Sequence, residues 1–126
     1  MTEPMTPAAV RWRLLVSAAE DVEPMFQALW EFGIPAQPKP GGPTLDQVKG
    51  ALWQLIQEGL VTLFHGLDAH GDFIPVPPEW LASVYADPRS WEEREDPATD
   101  VRYSTTPAGD EAVRVRPPDV PEPEWN

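Results

Sequence analysis

The stretch from Thr44 to Phe64, TLDQVKGALWQLIQEGLVTLF, constrains the fold more than any other part of this chain. Leu45, Val48, Leu52, Leu55 and Ile56 recur at helical spacing and mark one apolar stripe facing a core. Asp46, Gln47, Gly50, Gln54 and Gln57 fall on the opposite side, with Lys49 and Trp53 on the boundary. Thr44 supplies an N-cap, and Gly59 supplies the left-handed stop that lets a helix hand over to a strand. Leu60 to His65 then alternates as a strand.

Two more helices are predicted upstream. Thr6 caps a helix that opens on Pro7 and runs to about Ala19, with Ala8, Trp12, Leu15 and Ala19 on one face. Asp21 is expected to cap the second, in which Val22, Met25, Phe26, Leu29, Trp30 and Gly33 recur at helical spacing. Residues 33–43, with four prolines and three glycines, break the chain before Thr44. Downstream, Asp68 to Asp72 reads as a tight turn and Phe73 to Val76 as a short strand. Helical turns follow over Pro78 to Tyr85 and Asp87 to Trp91, then an acidic loop from Glu92 to Asp100. Val101 to Thr105 returns as a strand, and Pro107 opens a last short helix. The expected organisation is a disordered N-terminus (1–6), one domain (7–116) with an insertion at 68–100, and a Pro-rich acidic tail (117–126).

The two ends of this hairpin carry a resemblance. Leu55-Ile-Gln-Glu-Gly-Leu-Val61 is similar to the L-x-x-x-G-L-V that ends a recognition helix, and Tyr103 with Thr106-Pro-Ala-Gly109 is similar to a wing-closing Y-x-x-T-x-x-G. The chain thus resembles the winged helix-turn-helix superfamily, in particular small MarR-like and PadR-like bacterial regulators, over roughly residues 8–67 and 101–113. The fold class expected is α+β: three helices plus a two- to three-stranded β-wing that carries an acidic helical insertion. The resemblance implies a transcriptional regulator that reads the major groove through Gln47, Lys49, Gly50 and Gln54 of the third helix.

Charge points elsewhere. The net charge is −12 in 126 residues. Residues 8–67 hold four cations against six carboxylates, whereas residues 68–126 hold five arginines against fourteen acids. The acidity therefore sits in the wing and tail, where a duplex binder needs a positive stripe for phosphate neutralisation. The third helix offers a single lysine, and its preceding loop of about ten residues exceeds the usual 3–4 of a helix-turn-helix. No long helix follows Gly109 to build a regulator dimer.

Trp91, Glu92, Glu93, Glu95 and Asp96 form the alternative candidate site, an acidic face with an aromatic anchor for a basic protein partner such as a nuclease. The chain holds six tryptophans in all. Trp12 and Trp30 are expected in the core, while those of the insertion, Trp80 and Trp91, either cover the third helix near Trp53 or anchor a partner. Trp125, in the tail, is incidental or a short-motif anchor.

His65, Asp68, His70 and Asp72 spell H-x-x-D-x-H-x-D, a weak metal candidate whose residues are also those a hairpin tip prefers. No metal or other cofactor is expected. The chain has no cysteine, no G-x-S-x-G and no phosphate-cradling glycine loop, so a non-enzymatic binding protein is expected. No apolar run approaches the ~18 residues of a membrane span, and no basic leader precedes an apolar one. With seven arginines to two lysines and no cysteine, the composition implies a bacterial, cytoplasmic protein. Two readings remain open: a protein-binding winged helix that docks on or neutralises a basic partner, and a DNA-binding regulator. Oligomeric state is left undetermined.

Overall fold

The computed structural model describes residues 6–34 and 42–115. The expected N-terminal fray below Thr6, most of the Pro/Gly-rich loop, and the acidic tail with Trp125 lie outside the described residues. Helix α1 (Pro7–Glu20) starts where the sequence requires, since the Thr6 hydroxyl accepts from the Ala9 N–H at 3.1 Å. Val10, Trp12, Leu14, Leu15 and Ala18 are buried along it. Helix α3 (Leu45–Gln57) carries a complete capping box: Thr44 accepts from the Gln47 N–H, and the Gln47 side chain accepts from the Thr44 N–H at 2.8 Å. Its stripe of Val48, Leu52, Leu55 and Ile56 packs on α1. Leu45, expected on that stripe, is 41% exposed.

Between these helices the chain departs from expectation. Asp21 does not cap α2; its carboxylate accepts from the adjacent Val22 N–H. The backbone then runs extended through a two-residue strand, β1 (Glu23–Pro24), before the short helix α2 (Met25–Trp30). Proline explains the delay, because it disfavours helical geometry in the residue before it. Met25, Phe26, Ala28 and Leu29 fill the core, which leaves Trp30 outside it. Trp30 is 47% exposed and tilts against Phe26 at 4.8 Å, so it is not the core residue expected.

The sheet is antiparallel and four-stranded, in the order β1-β4-β2-β3, with β2 (Val61–Leu67), β3 (Phe73–Pro75) and β4 (Val101–Thr105). Five residue pairs join β2 to β4, from Val61↔Thr105 to His65↔Val101, which turns Val61, Leu63, Val101 and Tyr103 into the core. The unforeseen strand β1 adds to the outer side of β4 through Glu23↔Tyr103 and Pro24↔Arg102. The architecture is mixed α and β, with five α-helices among the described residues once α4 (Leu81–Ala86) and α5 (Pro107–Ala112) are included. None of them is long and apolar enough to cross a membrane.

The two sequence motifs at the ends of the hairpin clasp one another. Gly59 adopts φ +74 and turns the chain from α3 into β2. Thr106 caps α5 by accepting from the Gly109 N–H at 3.1 Å, donates its hydroxyl to the Gly59 carbonyl at 2.5 Å, and donates its backbone N–H to the Leu60 carbonyl at 3.0 Å. Gly109 must lack a side chain here, because a Cβ would stand 1.9 Å from the Leu60 carbonyl oxygen.

Candidate interaction surface

The insertion between β2 and β4 folds back onto one flank of α3. After β3 the chain makes a 3₁₀ turn (Pro78–Trp80), helix α4 and a second 3₁₀ turn (Pro88–Trp91). The second turn is capped by Asp87, whose carboxylate accepts from the Arg89 N–H and ion-pairs with its guanidinium at 3.0 Å. Those hydrogen bonds hold the Asp87 carboxyl below its ordinary range.

This turn delivers Trp91 into the interior at 7% exposure. Its indole N–H donates to the Tyr85 carbonyl at 2.7 Å, and the Tyr85 hydroxyl donates to the Lys49 carbonyl on α3 at 2.6 Å. The Tyr85 ring lies 5.5 Å edge-on from Trp91 and 4.8 Å from Trp53. Lys49 extends its ammonium over the Trp91 ring at 4.9 Å, a cation–π arrangement. Burial, followed by the nearby Asp46 carboxylate, pushes the Tyr85 phenol up from its usual value.

These contacts decide between the two roles open to the insertion's tryptophans. Trp91 covers α3 and is not a surface anchor, because its ring and N–H are both engaged inside the protein. Trp80 does not cover the helix; it is 62% exposed. Tyr85 went unnoticed in the sequence. The only local signal was an aromatic residue one short turn before the Asp87 cap.

Glu92, Glu93 and Glu95 are exposed on the loop that leaves Trp91. Asp96, although exposed, holds a turn together. Its carboxylate accepts from the Ala98 N–H at 3.0 Å, and its carbonyl accepts from the Thr99 hydroxyl at 2.8 Å. The acidic face is therefore three glutamates on a loop pinned at one end by Trp91 and at the other by the Asp96 turn.

On α3, Gln47, Gly50 and Gln54 are exposed and line a groove with Pro7, Val10, Asp46 and Ala51. Lys49 is set apart from them, half-buried against the insertion. No family model, curated protein or solved structure matches this chain. Its surface must be read from its own residues.

The histidine–aspartate tetrad is divided. Asp68 closes the hairpin tip, accepting from the His70 N–H at 2.8 Å and the Asp72 N–H at 3.0 Å. His65 lies back along β2, opposite Val101. No group of three or more metal-ligating side chains comes together among the described residues.

Proposed function

We propose that this protein is a non-enzymatic winged-helix binding module whose acidic insertion docks on a basic protein partner, in its most concrete form inhibiting a nuclease-like one. The observation that carries the reading is the fate of Lys49. It is the only basic residue of α3, and it lies over Trp91 with its carbonyl held by Tyr85. The helix that would enter a DNA groove thus has its one cation committed to the insertion, while Glu92, Glu93 and Glu95 face solvent from a pinned loop. Fixed, exposed charge of one sign favours fast, salt-sensitive association with a surface of the opposite sign. The winged-helix part of the reading draws support from the helix–strand–helix–helix–strand order and from the clasp between Gly59-Leu60 and Thr106-Gly109.

The second reading, a transcriptional regulator, keeps one observation in its favour: Gln47, Gly50 and Gln54 stay exposed on α3. Two measurements separate them. Under the protein-docking reading, the Glu92→Lys/Glu93→Lys/Glu95→Lys variant loses a partner that the wild type captures from source-cell extract, and the Lys49→Ala/Gln54→Ala variant keeps it. Under the regulator reading, random duplex DNA is retarded in a gel at about 50 mM salt, where phosphate contacts are strongest. Retardation abolished by the α3 variant and indifferent to the glutamate reversals would overturn the proposal.

A further inference from the structure

Where the insertion meets the β2–β4 hairpin, a cleft of about 420 Å³ opens beside the acidic loop, lined chiefly by His65, Ser83, Asp87, Ser90, Arg94 and Thr99. Its polar groups divide into those already engaged and those left over. The Asp87 carboxylate is occupied by Arg89, accepting from the backbone N–H at 3.0 Å, Nε at 3.3 Å and Nη2 at 3.0 Å. The Ser83 hydroxyl donates to the Trp80 carbonyl at 3.1 Å, and the Thr99 hydroxyl to the Asp96 carbonyl. Ser90 is different. It is 4% exposed, its backbone N–H is bound to the Asp87 carbonyl, and its hydroxyl, in a residue that lines the cleft, makes no hydrogen bond among the described residues.

Arg94 forms no ion pair among the described residues: Nη2 makes one long contact, 3.4 Å, to the Arg89 carbonyl, and its charge acts on the Asp87 carboxylate without reaching ion-pairing distance. The His65 imidazole makes no hydrogen bond among the described residues either. The lining therefore presents a guanidinium, an imidazole N–H and a buried hydroxyl as donors, while its single carboxylate is neutralised.

We infer that this cleft is a binding site for a tetrahedral oxyanion, a phosphate or the phosphate group of a monoester. A guanidinium fork with further N–H and O–H donors matches several acceptor oxygens on one centre, and charge assistance makes such bonds the strong ones. A cationic guest would meet Arg94 with no free carboxylate in the lining to balance it. Glu93 and Glu95 flank Arg94 in the chain and, with Glu92, oppose an anion; physiological salt weakens that repulsion without removing it, so the donors of the lining must outweigh it. The site is independent of the docking proposal, since it uses none of those glutamates and needs no protein partner.

The test is an NMR titration of the full chain with inorganic phosphate at constant ionic strength, with chloride as the balancing anion. Saturable shifts concentrated at His65, Ser90, Arg94 and Thr99 are expected. Arg94→Gln should weaken binding about tenfold or more, as loss of one charge-assisted hydrogen bond implies. Arg94→Lys should retain part of the affinity, and Arg114→Gln, away from the cleft, should leave it intact. Thermal melts of each variant confirm that the fold is kept. A parallel titration with glycerol 3-phosphate distinguishes the sources: tighter binding than inorganic phosphate assigns the cleft to an esterified phosphate, and weaker binding to the free anion. Shifts that fail to saturate, that chloride reproduces, or that survive Arg94→Gln unchanged would overturn the inference.

Discussion

Two glycines, one in a long helix and one in a short one, should respond to the same substitution with opposite signs. Gly50 sits in the middle of α3 with ordinary helical φ, and a Cβ built on it meets nothing within 4 Å. Nothing in the fold requires glycine there. Gly50→Ala should raise stability by about 0.5–1 kcal/mol, the helix-propensity difference. With an unfolding entropy near 2.1 cal/mol/K per residue, that is about 2–4 °C in Tm for a chain of this length.

Gly109 in α5 is the contrast. Its Cβ would fall 1.9 Å from the Leu60 oxygen and 3.0 Å from the Thr105 Cβ. Relieving that clash separates α5 from the start of β2 and weakens both Thr106 bonds to Gly59 and Leu60. Overpacking and lost hydrogen bonds together should cost about 2–4 kcal/mol, or about 8–15 °C. Thermal melts followed by circular dichroism read both variants. A destabilising Gly50→Ala would refute the reasoning, because it would mean that the outward face of α3 is covered in the native protein. A neutral Gly109→Ala would refute the clasp.

Tyr103 is wholly buried and its hydroxyl has no hydrogen-bond partner among the described residues, so Tyr103→Phe should stabilise the fold by about 1 kcal/mol by removing an unsatisfied polar group, visible as a higher urea midpoint. A lower midpoint would show that the hydroxyl is satisfied in solution. Both tyrosines of the chain are pushed upward, Tyr103 by burial and then by Glu31 and Glu23, Tyr85 by burial and then by Asp46. A folded-state phenol raised above its unfolded value of 10.0 leaves stability unaffected below that pH and lowers it as pH rises further, because the unfolded chain releases the proton first. Ultraviolet titration should therefore show phenolate appearing together with loss of helical dichroism; two separate ionisations near the ordinary value in a still-folded protein would contradict it. Trp91→Phe removes the indole donor to the Tyr85 carbonyl and should cost about 1–3 kcal/mol. It should also speed proteolysis between Glu92 and Asp96, and unchanged cleavage would show that the loop is not pinned through Trp91.

What could be read from the sequence was local in cause. The start of α1 and both ends of α3 follow from a cap, a stripe and a glycine within a few residues of one another, and the structure places all of them as expected. The pairing of β2 with β4 was foreseeable as a hairpin. Strand β1 was not, because two residues ending in proline carry no alternation and gain strand character only by lying against Arg102 and Tyr103. The candidate site was legible in composition and not in orientation. Glu92, Glu93 and Glu95 could be named as an exposed acidic run, and the Asp96-Pro97 pair is the one local signal that Asp96, unlike its neighbours, holds a turn. Trp91 and Trp80 look equivalent in the chain; only the Asp87-capped turn turns one inward and leaves the other in solvent. Trp30 misled because its spacing fits a helical stripe longer than the six residues α2 provides.

The packing of the insertion also bears on whether it moves aside to free Lys49, since Gln47, Gly50 and Gln54 are exposed as the protein stands. Undocking it returns the Trp91 side chain to water and breaks the bonds Trp91–Tyr85 and Tyr85–Lys49. A buried tryptophan removes about 150–250 Å² from solvent, which at about 25 cal/mol per Å² is an upper bound of roughly 4–6 kcal/mol. The two hydrogen bonds add about 1 kcal/mol each. Chain entropy regained on undocking offsets part of this sum, so the docked form is favoured by less than these contacts add up to. A DNA ligand would have to supply that free energy through a helix that regains a single lysine, against the repulsion of a chain carrying −12. A basic protein partner meets Glu92, Glu93 and Glu95 as they already stand, with no such rearrangement. That difference in cost is why the docked insertion favours the protein-binding reading.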